Sequence, residues 1–463
     1  MARRSRESVT RTGGRAATSG VIPGRFGLSV GKPNLPAPTD WSWTPLCELA
    51  RLETGHTPSR KHPEYWGGDI PWIGIGDATA NHGRTITTTE ENTNELGIAN
   101  SSARVLPTGT VCLSRTASVG YVVVMGRAMA TSQDFVNWVC TERIDNRFLK
   151  YVLLAEHNSM LRFASGTTHQ TIYFPEAKAF HLCLPPPREQ KAIADMLGAL
   201  DDKIELHRRI NKSLEEIIRV IFRSWFLEFT PLRAKAEGRP AELPETIAGL
   251  FTDRLTTTAL GEIPAAWSVG KLGDVAEHPR RGARPEEIEP ATPYIALEHM
   301  PRGCIALSEW IAADGVKSNK FRFKRGEILF GKLRPYFHKV GIAPLDGVCS
   351  TDIVVVAAKS AKWFGFVLGH VSSTKFVEYA SAASTGTKMP RTNWADMARY
   401  AIVIPPESIA EAFTDHVRPI SERIIASVHE SRTLTTLRDT LLPKLVSGEL
   451  RTSEAARLVE EVA

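Results

Sequence analysis

Apolar positions recur at spacings of three and four in two distant stretches of this chain. Ile193, Leu197, Leu200, Ile204, Leu214, Ile218, Ile221 and Trp225 form the first seam. Phe413, Val417, Ile420, Ile424, Leu434, Leu441 and Leu445 form the second. A heptad-like period puts such residues on one stripe of a helix, so two long helices are predicted. The first begins after Pro185-Pro186-Pro187, where proline suits a first turn, and Pro231 ends it. Adding 220 to any position of the first seam lands on the second, including Arg438, which stands where the first copy has Ile218. Both seams turn polar at the same place, with His207 and Asn211 in one and Ser427 and Ser431 in the other. Polar seam positions cost stability and set register. Pro419 lies inside the second stretch and predicts a kink or a break.

A helix of some 40 residues is about 60 Å long. A domain of ordinary size does not cover a seam of that length, so the two helices are expected to pack on each other, antiparallel. Two globular halves would then lie at opposite ends, related by a pseudo-two-fold axis.

The rest of the chain repeats as well. Trp41-Ser42 matches Trp267-Ser268, Pro71-Trp72-Ile73 matches Pro293-Tyr294-Ile295, and Gly109 matches Gly326. Ser132 and Asp134 match Ser350 and Asp352, Gly166-Thr167 matches Gly386-Thr387, and Leu184-Pro185-Pro186 matches Ile404-Pro405-Pro406. The order is kept and the offset drifts only by a few residues, as loop insertions would cause. Short apolar runs at 110–113, 121–124, 327–330 and 353–357 read as strands, and 148–163 and 363–379 as helices. The fold class is α+β, with two mixed α/β domains separated by two long antiparallel coiled-coil helices in a pseudo-two-fold internal repeat. The expected organisation is a disordered basic arm (1–40), a first domain (41–185), a long helix (186–230), a linker (231–263), a second domain (264–404), a second long helix (405–451) and a tail (452–463).

Charge sharpens this picture. The formal net charge is +6, but residues 1–40 carry +5 and residues 264–404 carry +6, while 41–185 sum to −1. A basic domain points to a polyanion partner. The first 40 residues are rich in Arg, Gly, Ser and Pro without apolar periodicity, and no secretory h-region is present. They read equally as an extension without function and as an arm that touches DNA. The six cysteines are scattered, with no CxxC pair and no zinc-ligand spacing, which fits a reducing compartment. No apolar stretch approaches the ~18 residues of a membrane span.

Motifs for chemistry do not assemble. Gly386-Thr387-Lys388 lacks the rest of a P-loop, Gly74-Ile75-Gly76 ends in Thr79 where a dinucleotide fingerprint needs Gly, and Ser118 lacks the glycine that precedes a nucleophile elbow. The proline pairs LPPP and IPPE are not the Asn/Asp-Pro-Pro-aromatic motif of an amino-methyltransferase. Glu176-Ala177-Lys178 is a lone ExK with no partnering acid.

The segments LPPPREQKAIADMLGALDDKIELHRRINKSLEEIIRVIFRSWF (184–226), IPPESIAEAF (404–413) and LRDTLLPKLVSGELR (437–451) resemble the two conserved helices of type I restriction–modification specificity subunits. The resemblance covers 41 to about 451. It implies two target-recognition domains, each reading one part of a split, asymmetric site in double-stranded DNA about one duplex turn from the other. The helices would act as a ruler and dock two methyltransferase subunits, joined by restriction endonuclease/translocase subunits. The chain itself would be non-catalytic and bind no cofactor. S-adenosylmethionine would belong to the methyltransferase partner and ATP with Mg to the restriction partner. The setting implied is the cytoplasm of a bacterium or archaeon, with no membrane partner.

A base reader needs Arg or Lys for guanine, Asn or Gln for adenine, and hydroxyls or amides for phosphate, on loops held by a rigid scaffold. Equivalent places in the repeat supply them. In the first half these are Arg60 and Lys61, then Arg115, Thr116 and Ser118, then Thr167, Thr168, His169 and Gln170. In the second half they are Arg280, Arg281 and Arg284, then Lys332, Arg334 and Tyr336, then Thr387, Lys388 and Arg391. The loop after Gly109 or Gly326 and the Gly-Thr loop are where the family places DNA-facing residues. Tyr65, Trp66 and Trp72 are assigned to core packing. Three readings stay open: a DNA-binding specificity module, a stand-alone nuclease with a divergent site, and a coiled-coil scaffold. Metal-dependent cleavage by the purified chain would mark the second, and sequence-selective binding excludes the third.

Overall fold

The structure is a computed structural model that describes residues 20–166, 170–240, 243–386 and 389–460. The chain divides into two units, Met1–Asp202 with Thr435–Ala463, and Lys203–Leu434. Each is a mixed α/β body; the first is completed by chain from the far end of the sequence, and the second is one continuous segment.

In the first unit a five-stranded sheet has the order Ala50–Thr54, Phe135–Cys140, Val111–Ser114, Val122–Met125, Thr85–Ile86. Val111, Cys112, Leu113, Phe135, Val136 and Trp138 are buried, as continuous apolar runs in central strands require. The helix Asn146–Ala155 packs on this sheet. Asp145 caps it by accepting the N–H groups of Arg147 and Phe148. A four-stranded sheet has the order Ile22–Pro23, Leu28–Val30, Phe180–Leu184, Ser42–Pro45. Two of these strands correct the expected arm: 20–40 is not disordered, and Leu28 and Val30 are core residues. The physical reason is local pairing with Phe180–Leu184 and the buried Glu156 carboxylate, which accepts the N–H groups of Arg25, Phe26, Gly27 and Leu28. The part of that expectation covering 1–19 lies outside the described residues.

The second unit repeats the plan. One sheet runs Ala276–Glu277, Ile353–Ala358, Ile328–Gly331, Val340–Ile342, and a separate five-stranded sheet carries Gly282–Ala283 and Lys320–Phe323. The register is repeated too. Ser42 pairs with Leu184, and Ser268 pairs with Ile404, positions made equivalent by the sequence repeat. Residues 231–263 are more than a linker. They hold helices Thr230–Ala236 and Glu245–Ala248 and a hairpin, Leu255–Thr258 with Gly261–Pro264. Leu232, Phe251 and Ile263 enter the aromatic core of this unit, which is why the stretch is ordered. The tail 452–463 likewise begins as a helix, Thr452–Glu460, with Ala455 buried.

The long helices span Pro187–Phe226 and Glu407–Ser447. In the first unit Asp201 meets Arg438 and Glu189 meets Arg451, so the two run in opposite directions. In the second unit His207 meets Ser431 and Trp225 meets Phe413, again with opposite direction. Ile193, Leu197, Phe413, Val417, Ile424 and Leu445 are buried. Helical assignment continues through Pro419. The expected break does not occur, because proline removes one N–H donor while the bonds of the flanking turns persist.

Arg438 is not a flaw in the seam. Its Nη1 donates to Asp201 Oδ1 at 2.8 Å, and Asp201 Oδ2 accepts from Tyr151 Oη at 2.7 Å and Lys150 Nζ at 3.3 Å. Burial opposes ionisation of Asp201, but these donors outweigh it and hold the carboxyl below its usual range. Burial lowers Lys150 itself, so Arg438 is the firmer partner. The polar seam centre is also used. His207 Nδ1 lies 3.2 Å from Ser431 Oγ, and His207 Nε2 lies 3.2 Å from Glu430.

Two outcomes follow. Arg438→Met leaves Asp201 without its firmest partner and should destabilise the chain by about 1–3 kcal/mol, less than for a fully buried pair. A lowered urea midpoint at constant slope checks this. In the second unit, burial among Phe222 and Phe366 lowers His370 to about 3. The unfolded imidazole protonates near its ordinary ~6.5, so between these values the unfolded state binds more protons. Stability is therefore complete above about pH 6.5 and falls as pH drops, by up to ~1.4 kcal/mol per pH unit. His370→Leu should flatten that fall; an unchanged pH profile would refute the assignment.

Candidate nucleic-acid interface

In the first unit three backbone segments converge at Arg115, just after the strand Val111–Ser114. Its N–H donates to Asp134 O at 2.7 Å, and its carbonyl accepts from Ile172 N at 2.8 Å. Thr116 bridges Thr171, and Ser165 and Thr171 exchange both backbone hydrogen bonds. In the second unit Lys332 N–H donates to Asp352 O at 2.9 Å, and its carbonyl accepts from Thr392 N at 3.1 Å. Leu333 bridges Arg391, and Thr385 and Arg391 exchange both backbone hydrogen bonds. Each partner is the repeat equivalent of its counterpart. Two loops and a strand start are thus tied together identically, with a cation at the clamped position in each.

The loops carry strain at equivalent residues. Ala117 has φ 61° and Arg334 has φ 50°, the left-handed region, which costs a non-glycine residue roughly 1 kcal/mol. Arg334 N–H donates to Pro390 O, while its buried Nε has no partner among the described residues. Such an unmet donor is uncommon and marks a place where a ligand would be favourable. Arg391 Nε lies 3.3 Å from Asp352. Tyr336 is exposed and stacks edge-on to Phe337, and Arg302 lies 4.0 Å over the Phe337 ring. Burial, with smaller contributions from Arg280 and Lys332, keeps His278 below its usual range.

The other candidates divide. Arg115 Nε donates to Gln133 O, and Thr57 is bonded to the Gln133 side chain, so the 57–61 loop adjoins the first junction. The Ser118 backbone carbonyl accepts from Ser114 Oγ, and the residue is half-buried. Gln170 and Lys61 are exposed. Arg60 forms a two-pronged pair with Glu91, at 2.6 Å on each prong, and lies 3.8 Å over Trp66. Trp72 is buried, as expected. Arg281 is held by Glu327 at 2.9 and 2.7 Å, and Arg284 by Glu287 at 3.0 Å. Thr167, Thr168, His169, Thr387 and Lys388 lie outside the described residues. Reading the sequence missed Gln133 and Arg302; only the match of Asp134 to Asp352 hinted at the first. Among the described residues no cluster of His, Cys, Asp or Glu could hold a metal, and no helix is long and apolar enough to cross a membrane.

With this geometry in view, comparisons with known proteins report what the chain is similar to. Residues 38–216 match the family described as the type I restriction modification DNA specificity domain. Over 90% of its length the chain is 29% identical to the type I restriction enzyme MjaIX specificity subunit of Methanocaldococcus jannaschii, covering 95% of that protein. It is 26% identical to the EcoDI specificity subunit of Escherichia coli, covering 82% of this chain and 80% of the relative. The fold matches the crystal structure of the S subunit from M. genitalium with a TM-score of 0.53 at 15% identity, over 90% of this chain and 98% of that one. The chain is thus similar to type I restriction enzyme specificity subunits over most of its length, and its first part matches their DNA specificity domain.

Arg281→Ala should lower stability by about 1–2 kcal/mol, because Glu327 is left nearly buried with, among the described residues, the Lys324 N–H as its remaining partner. Arg284→Ala, in an exposed pair, should shift it by less than about 0.5 kcal/mol. Thermal melts of the two variants check the contrast.

Proposed function

We propose that this chain reads a bipartite, asymmetric DNA site and directs adenine methylation or restriction by partner subunits. Each of the two recognition domains, 41–185 and 264–404, would read one part of the site. The helices at 186–230 and 405–451 would set the distance and dock two methyltransferase subunits, with restriction subunits joining that core. S-adenosylmethionine and ATP with Mg would belong to those partners, and the setting would be the cytoplasm of a bacterium or archaeon. The observation that carries this reading is the repeated junction, in which Arg115 and Lys332 are clamped by equivalent backbone bonds. A protein that only bridged partners would have no reason to hold two cationic, strained loops in matching form.

Within the second junction, Lys332, Arg334 and Arg391 are assigned to DNA, with Tyr336, Arg280, Thr387 and Lys388 beside them. In the first junction the assignment is Arg115, Thr116, Ser118 and 167–170. Arg60, Arg281 and Arg284 are already paired with carboxylates and would act mainly as framework.

A map of methylated adenine in cells carrying this chain with its methyltransferase partner tests the reading. A split motif that vanishes when only this chain is deleted is expected; identical maps would overturn it. At residue level, Arg334→Ala should weaken selective binding by roughly 5- to 150-fold, the value of a base contact of about 1–3 kcal/mol, with an unchanged melting temperature. A change shared equally by all duplexes would reassign Arg334 to phosphate.

A further inference from the structure

We propose that a histidine tie at the far end of each DNA-reading loop positions that loop for base reading, made by His157 in the first unit and by His338 in the second. The inference rests on the DNA-reading function above and adds positioning residues to it.

Each loop joins two paired strands. In the first unit it runs from Val111–Ser114 to Val122–Met125, and in the second from Ile328–Gly331 to Val340–Ile342. The near end of each is the clamped cation, Arg115 or Lys332. The far ends are matched through the sheets, since Leu113 pairs with Val122 and Phe330 with Val340. Two residues before Val122 and Val340 stand Gly120 and His338. Both have left-handed backbone, with φ 95° and 51°.

The tie starts from this shared position. His157 Nδ1 lies 2.9 Å from Gly120 O, and His338 Nε2 lies 2.9 Å from Ser372 O. A carbonyl only accepts, so each of these ring nitrogens carries the proton and donates. His157 opens the helix His157–Phe163, just after the helix Asn146–Ala155. Ser372 follows the helix Phe364–Val371, just before Thr374–Ala382. Both ties therefore join the loop to the corner between two successive helices. The chemistry is reversed between them. In the first unit the corner supplies the imidazole and the loop the carbonyl; in the second the loop supplies the imidazole and the corner the carbonyl. Two opposite solutions to one contact point to the contact itself as what the loop requires.

The surroundings reinforce each tie. In the first unit a Cβ at residue 120 would lie 3.0 Å from His157 Nδ1, so glycine lets the imidazole approach. The Tyr121 ring meets His82 and His157 edge-on, at 5.2 and 5.7 Å. His82 Nδ1 accepts the Val122 N–H at 3.1 Å. Burial, with His157 and Arg438 adding to it, lowers His82 to about 4, so it remains an acceptor near neutral pH. In the second unit Arg302 covers the Phe337 ring, and Lys339 Nζ donates to Leu297 O. Base reading needs its donors held to within about 0.5 Å. A loop clamped at one end swings about that end, and the tie removes this freedom. Arg334 lies between the clamp at Lys332 and the tie at His338.

The test replaces each histidine in the full chain, expressed with its methyltransferase partner. Asparagine puts its amide nitrogen near the place of Nδ1, and glutamine near that of Nε2. His157→Asn and His338→Gln thus keep the donor, whereas His157→Leu and His338→Leu remove it. Hydrogen exchange across 116–121 and 333–339 reports the tie, and a map of methylated adenine reports the reading. Each leucine variant should speed exchange in its own loop by about 2- to 10-fold, the worth of one hydrogen bond. It should also relax base preference in one part of the split motif, with His157→Leu affecting one part and His338→Leu the other. The asparagine and glutamine variants should restore both readouts. Unchanged exchange in the leucine variants overturns the tie. Faster exchange with an intact motif overturns its role in reading. Relaxation of both parts by one variant, or no rescue by the matched amide, marks general packing and also overturns it. If a leucine variant does not fold, the crossed pair His157→Gln and His338→Asn, which misplaces the amide nitrogen, takes its place. If the unsubstituted chain yields no split motif, the DNA-reading function fails and the positioning role with it, while exchange still judges the tie.

Discussion

The structure depends on one packing constraint: within each unit the apolar stripe of one long helix must be covered by a stretch of the other, and in the first unit that stretch comes from the far end of the chain. The first unit ends its own sequence with the opening turns of one long helix and is completed by Thr435–Ala463. Ile193, Leu197 and Leu200 would otherwise present an apolar stripe to water, at roughly 1.5–3 kcal/mol per large side chain. Leu441, Leu445 and Val446 are the returning buried residues. Glycine tightens the closure, since a Cβ on Gly448 would lie 2.6 Å from Pro38 Cγ. The N-terminal segment that carries Pro38 is thereby part of the same assembly, which explains why 20–40 orders without any periodic signal of its own.

The two units solve that constraint with different chemistry. Lys150, Asp201 and Arg438 have His370, Ser421 and Ile218 as their equivalents in the repeat. One unit therefore places an ion cluster where the other places an uncharged, largely aromatic core around Phe222, Phe226, Phe366 and Phe413. Gly369 permits that core, because a Cβ there would lie 2.1 Å from the Phe222 ring. The ion cluster demands a partner of opposite sign in one register, whereas the aromatic core demands only volume and shape. Histidine held neutral by burial belongs to the second solution, and charged hydrogen bonding to the first.

Much of this was legible in advance because helix period and repeat offset are carried by residue type. The seams, the strands near 111–114 and 328–331, and the equivalence of the two junctions all follow from spacing. Pairings without periodicity were not legible. Arg60 with Glu91 and Arg281 with Glu327 join residues separated by 31 and 46 positions, and only the folded sheets bring them together. Glu156 reads as one more acid on a helix, yet it is the centre of the N-terminal turn. The stretch 231–263 looked like a linker because its few apolar residues lie far apart, and their common burial is a tertiary property.

The division between backbone and side chain at the junctions bears on how such a protein can change its target. Arg115 and Lys332 are fixed through their own N–H and carbonyl groups, and so are the hairpins closed at 165–171 and 385–391. Main-chain bonds of this kind hold the loop in place whatever side chain it carries. Ala117 and Arg334 occupy the same left-handed position although one is a methyl and the other a guanidinium. A frame set by amides can therefore present different reading groups without refolding, and the strained position is where a side chain is aimed away from the sheet's ordinary alternation. The cations held by carboxylates at Arg60 and Arg281 keep that frame rigid. The Nε of Arg334, in contrast, is a buried donor without a partner among the described residues. On the proposed reading, recognition and stability would fall to different atoms of neighbouring residues, which would let one vary while the other is kept.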